Sequence, residues 1–205
     1  MTVYLLSLLG ILISLFAVLM PQYFAFRTTR YAGVDYSSIK NTLSELGSIN
    51  SPFQHSVAHY YFLPLSLANI VFLFSVYFLF EGSLSSRAPF VLMSFVSIGY
   101  LIAAFSPCDQ GSPLKGSVRN QIHNLGGFFE YIGSGLGLIL LSLTSHYSLF
   151  GDGWNAYLMI SGGVILLMLV LLILPFLQSI RGLIQRVAEY SYFGFVFVFS
   201  VLLLF

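Results

Sequence analysis

Residues 122–144 read IHNLGGFFEYIGSGLGLILLSLT, and this stretch decides the class of the chain. It is 23 residues long and nearly all apolar. At 1.5 Å per residue, a helix of about 20 such residues crosses the hydrocarbon core of a bilayer. One carboxyl group, Glu130, lies in its interior, and glycines recur at 126, 127, 133, 135 and 137. The stretch therefore predicts a membrane-spanning helix with a small-residue face for close packing and a single acid to be explained.

The rest of the chain agrees. Of 205 residues, 58% are hydrophobic and 7% are charged, against about a quarter charged in soluble domains. So little charge cannot cover a soluble surface, and lipid must solvate much of it. Six segments are predicted to span, at about 3–20 (closed by Pro21), 56–80, 87–105, 122–144, 154–176 and 183–205. The runs are too long and too evenly apolar for barrel strands, and backbone groups in lipid must pair internally. The fold class is all-α, a polytopic transmembrane helix bundle of about six spans forming one domain over 1–205, with no soluble domain. The longest connector, 21–55, is too short for a domain, although Ser37 to Gly47 has the spacing of a short interfacial helix. The first run lacks a positive leader and is longer than a signal core, so it reads as a retained helix. Cys108 is the only cysteine, which excludes an intrachain disulfide. No tract is basic enough to hold nucleic acid.

Seven of the eight Lys and Arg residues fall in the connectors after spans one, three and five; only Arg87 lies on the other side. The positive-inside rule then puts those connectors in the cytoplasm and both termini outside it, in a cell inner membrane. Gly133 and Gly137 have the small-xxx-small spacing of a helix contact, flanked by Gly126, Gly127 and Gly135; Gly162 and Gly163 offer the fifth span similar material. His146, Tyr147, Trp154 and Tyr157 read as an aromatic belt at one membrane edge.

This topology gathers polar residues at the charged side. His55 and His59 stand at i and i+4, on one helical face, a spacing that suits two ligands of one metal ion. His123 and Glu130 are two turns apart and point the same way, with Glu130 about 10 Å deeper. An acid inside a span should face the bundle interior or a wet cavity, and Tyr100 and Asn69 are candidate partners. Asp109 sits in PCDQGSP, where Pro, Asp and Gly specify a turn; it is also placed to orient His123.

Three motifs occur in order: TLSELG after the first span, FSPCDQG leading to IHNLGG, and GLIQR before the last span. In this the chain resembles the bacterial and archaeal membrane family known as domain of unknown function 998. The resemblance covers most of the chain and implies six helices but no reaction. Its polar motif positions fall on Ser44, Glu45, Gly47, Asp109, Gly111, His123 and Arg186. The chain departs from the family pattern at Glu45, where Asp is commoner, and at Gln185, where an acid is commoner. It also has a longer segment between Asp109 and His123.

The functional expectation is a polar site at the cytoplasmic membrane face that binds a membrane lipid or small amphiphile, with a transport-related role as one version. Glu45, His59, Arg119 and Arg186 are the candidate ligand-binding residues, the arginines engaging phosphate together with Arg27 and Arg30. The alternative is a metal-dependent lipid hydrolase with zinc on His55, His59 and His123, and Asp109 or Glu130 as base or orienter. Haem held by His59 and His123, or proton-coupled transport through Glu130, are further readings.

Overall fold

The architecture comes from a computed structural model, which describes residues 2–79, 84–144 and 151–205. The chain forms α1 (Val3–Ala32), the short α2 (Leu43–Leu46) and α3 (Gln54–Val57), a π-helical turn (Ala58–Phe62), α4 (Leu63–Leu79), α5 (Leu84–Phe105), α6 (Val118–Ser142), α7 (Asp152–Leu172), a 3-10 turn (Pro175–Ile180) and α8 (Arg181–Leu202). Segment α3, the π turn and α4 run on as one helix, Gln54–Leu79. Five helices are long and apolar enough to cross a membrane: α1, Gln54–Leu79, α5, α6 and α7. The protein is a multi-pass, all-α membrane protein. The sixth expected segment, α8, is 22 residues long. Its first half carries Arg186 and Glu189, which lower its apolarity, and both side chains are buried in the protein.

Pro21 does not close the first helix, as the sequence suggested; α1 continues to Ala32 and ends at Gly33 in the left-handed conformation. A helical proline strips the carbonyl four residues back of its partner. Here that carbonyl belongs to Ala17, and the Tyr61 hydroxyl donates to it at 3.4 Å. The second span meets the same problem at Pro64 and answers with the widened π turn just before it. Helix α6 begins four residues earlier than expected because Ser117 caps it, its Oγ accepting from Asn120 N at 3.2 Å. The helix predicted near Ser37–Gly47 condenses to α2, held by a capping box between Thr42 and Glu45.

Glycines bring the helices together. A Cβ on Gly133 would lie 2.5 Å from the Leu92 carbonyl, and one on Gly137 would lie 3.0 Å from the Pro89 carbonyl, so this face of α6 packs on α5 backbone. Gly135 meets Gly162 of α7 in the same way, while Gly127 and Gly163 face open space. Between α4, α5 and α8, Asn69 donates to Ser97 Oγ at 2.9 Å and accepts from the Tyr192 hydroxyl at 3.2 Å. Trp154 is a core residue, not a belt residue: it is 6% exposed and stacks near Tyr157 and Phe199. His146 and Tyr147 lie outside the described residues.

Helix α8 runs antiparallel to α1. Gly10 abuts Ser200, the Gln22 amide bonds Tyr190 at 2.8 Å, and the Leu183 amide donates to the Ile39 carbonyl at 3.0 Å. The three charged connectors thus meet at one end. Ile49 N donates to Cys108 O at 2.9 Å, and Arg181 donates to the Ser112 carbonyl at 2.9 Å.

Candidate functional site

Beneath the joined connectors lies a half-open cavity of about 390 Å³. Helices α6 and α7 touch at Gly135 and Gly162 and diverge toward the charged end, leaving Gly127 with no neighbour within 4 Å of its Cβ position. The cavity fills that divergence. Its outer rim is apolar and exposed, with Leu125, Phe128 and Ile173. Its inner wall is polar, with His123, Glu130, Tyr131, Arg181, Gln185, Glu189 and Tyr100.

The deepest polar feature is a pair of carboxyl groups. Glu130 of α6 and Glu189 of α8 are 8% and 5% exposed and lie against each other. Tyr100 and Tyr131 each donate to one Glu189 oxygen at 2.8 Å. Glu130 fits because α5 has a glycine opposite it: a Cβ on Gly99 would strike its carboxyl. Among the described residues, no Lys or Arg lies within ion-pair distance of either acid. Two carboxyl groups lie against each other only when at least one carries a proton, so the pair holds at least one proton.

His123 stands two turns nearer the connectors, 7% exposed. Its Nδ1 lies 3.0 Å from the Ser106 carbonyl. A carbonyl only accepts, so Nδ1 carries the hydrogen and Nε2 of the neutral ring keeps a lone pair. Asp109 does not orient this ring, as the sequence reading allowed. Its carboxylate accepts from Ser117 N at 2.7 Å and Ser117 Oγ at 2.8 Å, with Arg119 at 3.7 Å. Those bonds to Ser117, aided by Arg119, hold Asp109 below the usual carboxylate range.

The other expected site residues are placed apart. Glu45 accepts from Thr42 N at 2.9 Å and Asn41 Nδ2 at 2.8 Å, which makes it the closing residue of a capping box. Arg186 is 5% exposed and caged: it donates to the carbonyls of Ser38, Asn41 and Gly182 and to the Tyr36 hydroxyl. Burial pushes the Tyr36 hydroxyl up to about 12 against the pull of Arg186. His55 and His59 are exposed, and His59 Nδ1 bonds the His55 carbonyl at 2.8 Å, so the i, i+4 pair is tied to its own backbone. Among the described residues, no three His, Cys, Asp or Glu side chains gather as a metal site. His59 is exposed, whereas His123 is buried on the cavity wall. Of the nominated residues, then, the structure brings together His123 and Glu130. Asn69 and Tyr100, nominated as partners of Glu130, bond elsewhere, Tyr100 to Glu189.

Glu189 and Gly99 were missed in the sequence. The signal for Glu189 was present, because an acid in an apolar segment marks a site by the same reasoning that marked Glu130.

A family profile described as "Protein of unknown function (DUF998)" matches residues 15–202. The chain belongs to this family. The match runs from the middle of α1 to the end of α8, so it takes in every helix that lines the cavity. No curated protein matches the chain. No solved structure matches it either. The family's motif positions split by role in this DUF998 chain: His123 lines the cavity, whereas Glu45, Asp109 and Arg186 tie the connectors that roof it.

Proposed function

We propose that this DUF998 protein binds a single-headed amphiphile, a lipid or a smaller molecule, in the cleft between α6 and α7. The headgroup lies on the polar wall beneath the connectors, and the apolar tail leaves through the opening past Leu125, Phe128 and Ile173. One observation carries the reading: a cavity with a polar floor opens sideways through an exposed apolar rim. A pocket for a water-soluble ligand would open through polar residues. A pure packing defect would have no buried acids to satisfy. By the charge count of the connectors, the headgroup lies toward the cytoplasmic leaflet of an inner membrane.

Native mass spectrometry of protein extracted from its own membrane into a neutral maltoside detergent tests this. The expected spectrum shows one retained amphiphile per chain, released as the collision energy rises. Bare protein under the gentlest conditions that strip the detergent would overturn the reading.

A further inference from the structure

Resting on that reading, we propose that the deep end of the cleft is a cation subsite and that the amphiphile it takes carries an ammonium group. The carboxyl groups of Glu130 and Glu189 both line the cleft, and among the described residues no Lys or Arg lies within ion-pair distance of either. A buried carboxylate needs a positive partner, and a ligand cation at this wall would supply one.

A second, independent group points the same way. His123 is 7% exposed, its Nδ1 is occupied by the Ser106 carbonyl, and its Nε2 has no partner among the described residues. That ring edge is an acceptor on the cavity wall, and it asks for a donor. The floor supplies aromatic faces as well: Phe62 and Tyr100, 5.8 Å apart between ring centroids, both line the cavity. Carboxylate plus ring face is the combination that holds an organic cation.

The basic residues argue against an anionic headgroup. Arg181 spends its two terminal nitrogens on the carbonyls of Gly111 and Ser112, leaving only Nε. Arg186 is caged by three carbonyls and Tyr36, and Arg119 lies at the surface beside Asp109. Arg186, first assigned to phosphate, is a fastener of the roof. What remains on the inner wall chiefly accepts hydrogen bonds, and a headgroup rich in N–H donors complements it.

Thermal unfolding of the full chain in maltoside micelles distinguishes the cases. The probes are dodecylammonium, dodecyltrimethylammonium, dodecyl phosphate and dodecanol, with short-chain phosphatidylethanolamine and phosphatidylglycerol as lipid sources of the two charges. The wild type should be stabilised by dodecylammonium or by phosphatidylethanolamine, and whichever acts at lower concentration identifies a free amine or a lipid headgroup. Dodecyltrimethylammonium, lacking N–H donors, should act more weakly. Glu130→Gln should weaken the response about tenfold. Gly127→Leu, which fills open space, should abolish it with the fold intact, so the test stands even if Glu130→Gln fails to fold. If dodecyl phosphate or phosphatidylglycerol matches the amines and Gly127→Leu abolishes that response, the cation subsite is wrong and the amphiphile cleft survives. If no probe gives a shift sensitive to Gly127→Leu, both fall.

Discussion

Glu130 and Glu189, 59 positions apart on α6 and α8, meet in the interior of the bundle, with Tyr100 and Tyr131 each donating to one Glu189 oxygen. This contact ties α6 and α8, which both line the cleft, to each other and to α5 through Tyr100. The position of Gly99 against Glu130 makes it a test of how tightly the pair is built. Gly99→Ala should drive a methyl into the carboxyl and lie 3.1 Å from the Gly126 carbonyl. Overpacking of this kind costs about 1–3 kcal/mol. Gly127→Ala, with no atom within 4 Å of the added methyl, should leave thermal stability unchanged. Paired melting curves check both.

Arg186 should be a structural residue and not a ligand contact. Its guanidinium joins α8 to the first connector through three carbonyls and Tyr36. Arg186→Ala should destabilise by about 3 kcal/mol or more, since it strands buried carbonyls. Arg186→Lys keeps the charge but not the fork, and should recover less than half of the loss. Denaturation in mixed micelles measures both.

The Tyr61 hydroxyl should matter because Pro21 makes it matter. Tyr61→Phe strands the Ala17 carbonyl and should cost about 1–2 kcal/mol. With Pro21→Ala in place, the Ala17 carbonyl regains a helical partner and the cost of Tyr61→Phe should shrink. A double-mutant cycle reads the coupling. Additive effects would mean that Tyr61 is not the compensating group.

Cys108 should be inert while the protein is folded. It is fully buried, and burial pushes its thiol up to about 12. At pH 8 only about one thiol in ten thousand would be thiolate, the reactive form. N-ethylmaleimide should leave the folded chain unmodified on a timescale that fully labels the chain in sodium dodecyl sulfate. Mass spectrometry of the intact chain checks this.

Asp109 should give the second connector an acid limit. Its folded value lies below the ordinary 3.8 because Ser117 and Arg119 favour the carboxylate. The contribution is therefore complete above about 3.8 and lost as pH falls through the lower, folded value. Hydrogen exchange at the Ser117 and Asn120 amides, corrected for intrinsic rates, should speed up in that acid window. Asp109→Asn should show fast exchange already at neutral pH.

Much of the fold was legible because a bilayer allows few choices: apolar runs of sufficient length become helices. The ends were less legible. Pro21 reads as a stop in any local view, and only the distant Tyr61 hydroxyl explains why α1 runs on. The site was half legible. Glu130 and His123 stood out as polar residues in an oily helix. Glu189 was overlooked although the same reasoning applied, and Gly99 carries no sign in sequence that an acid from another helix occupies its place. Arg186 was not legible as a structural residue, because the carbonyls of Ser38 and Asn41 that occupy it come from a connector far away in sequence. The His55–His59 pair misled for a similar reason: correct spacing says nothing of whether a third donor arrives.

The most direct test of the cleft compares native mass spectra of the wild type and Gly127→Leu, extracted side by side from the same membranes. The wild type should retain one amphiphile per chain, and Gly127→Leu should retain none while keeping the helical circular dichroism of the wild type. Equal retention by the two proteins would contradict the account, because an amphiphile that ignores a plug at Gly127 does not lie between α6 and α7.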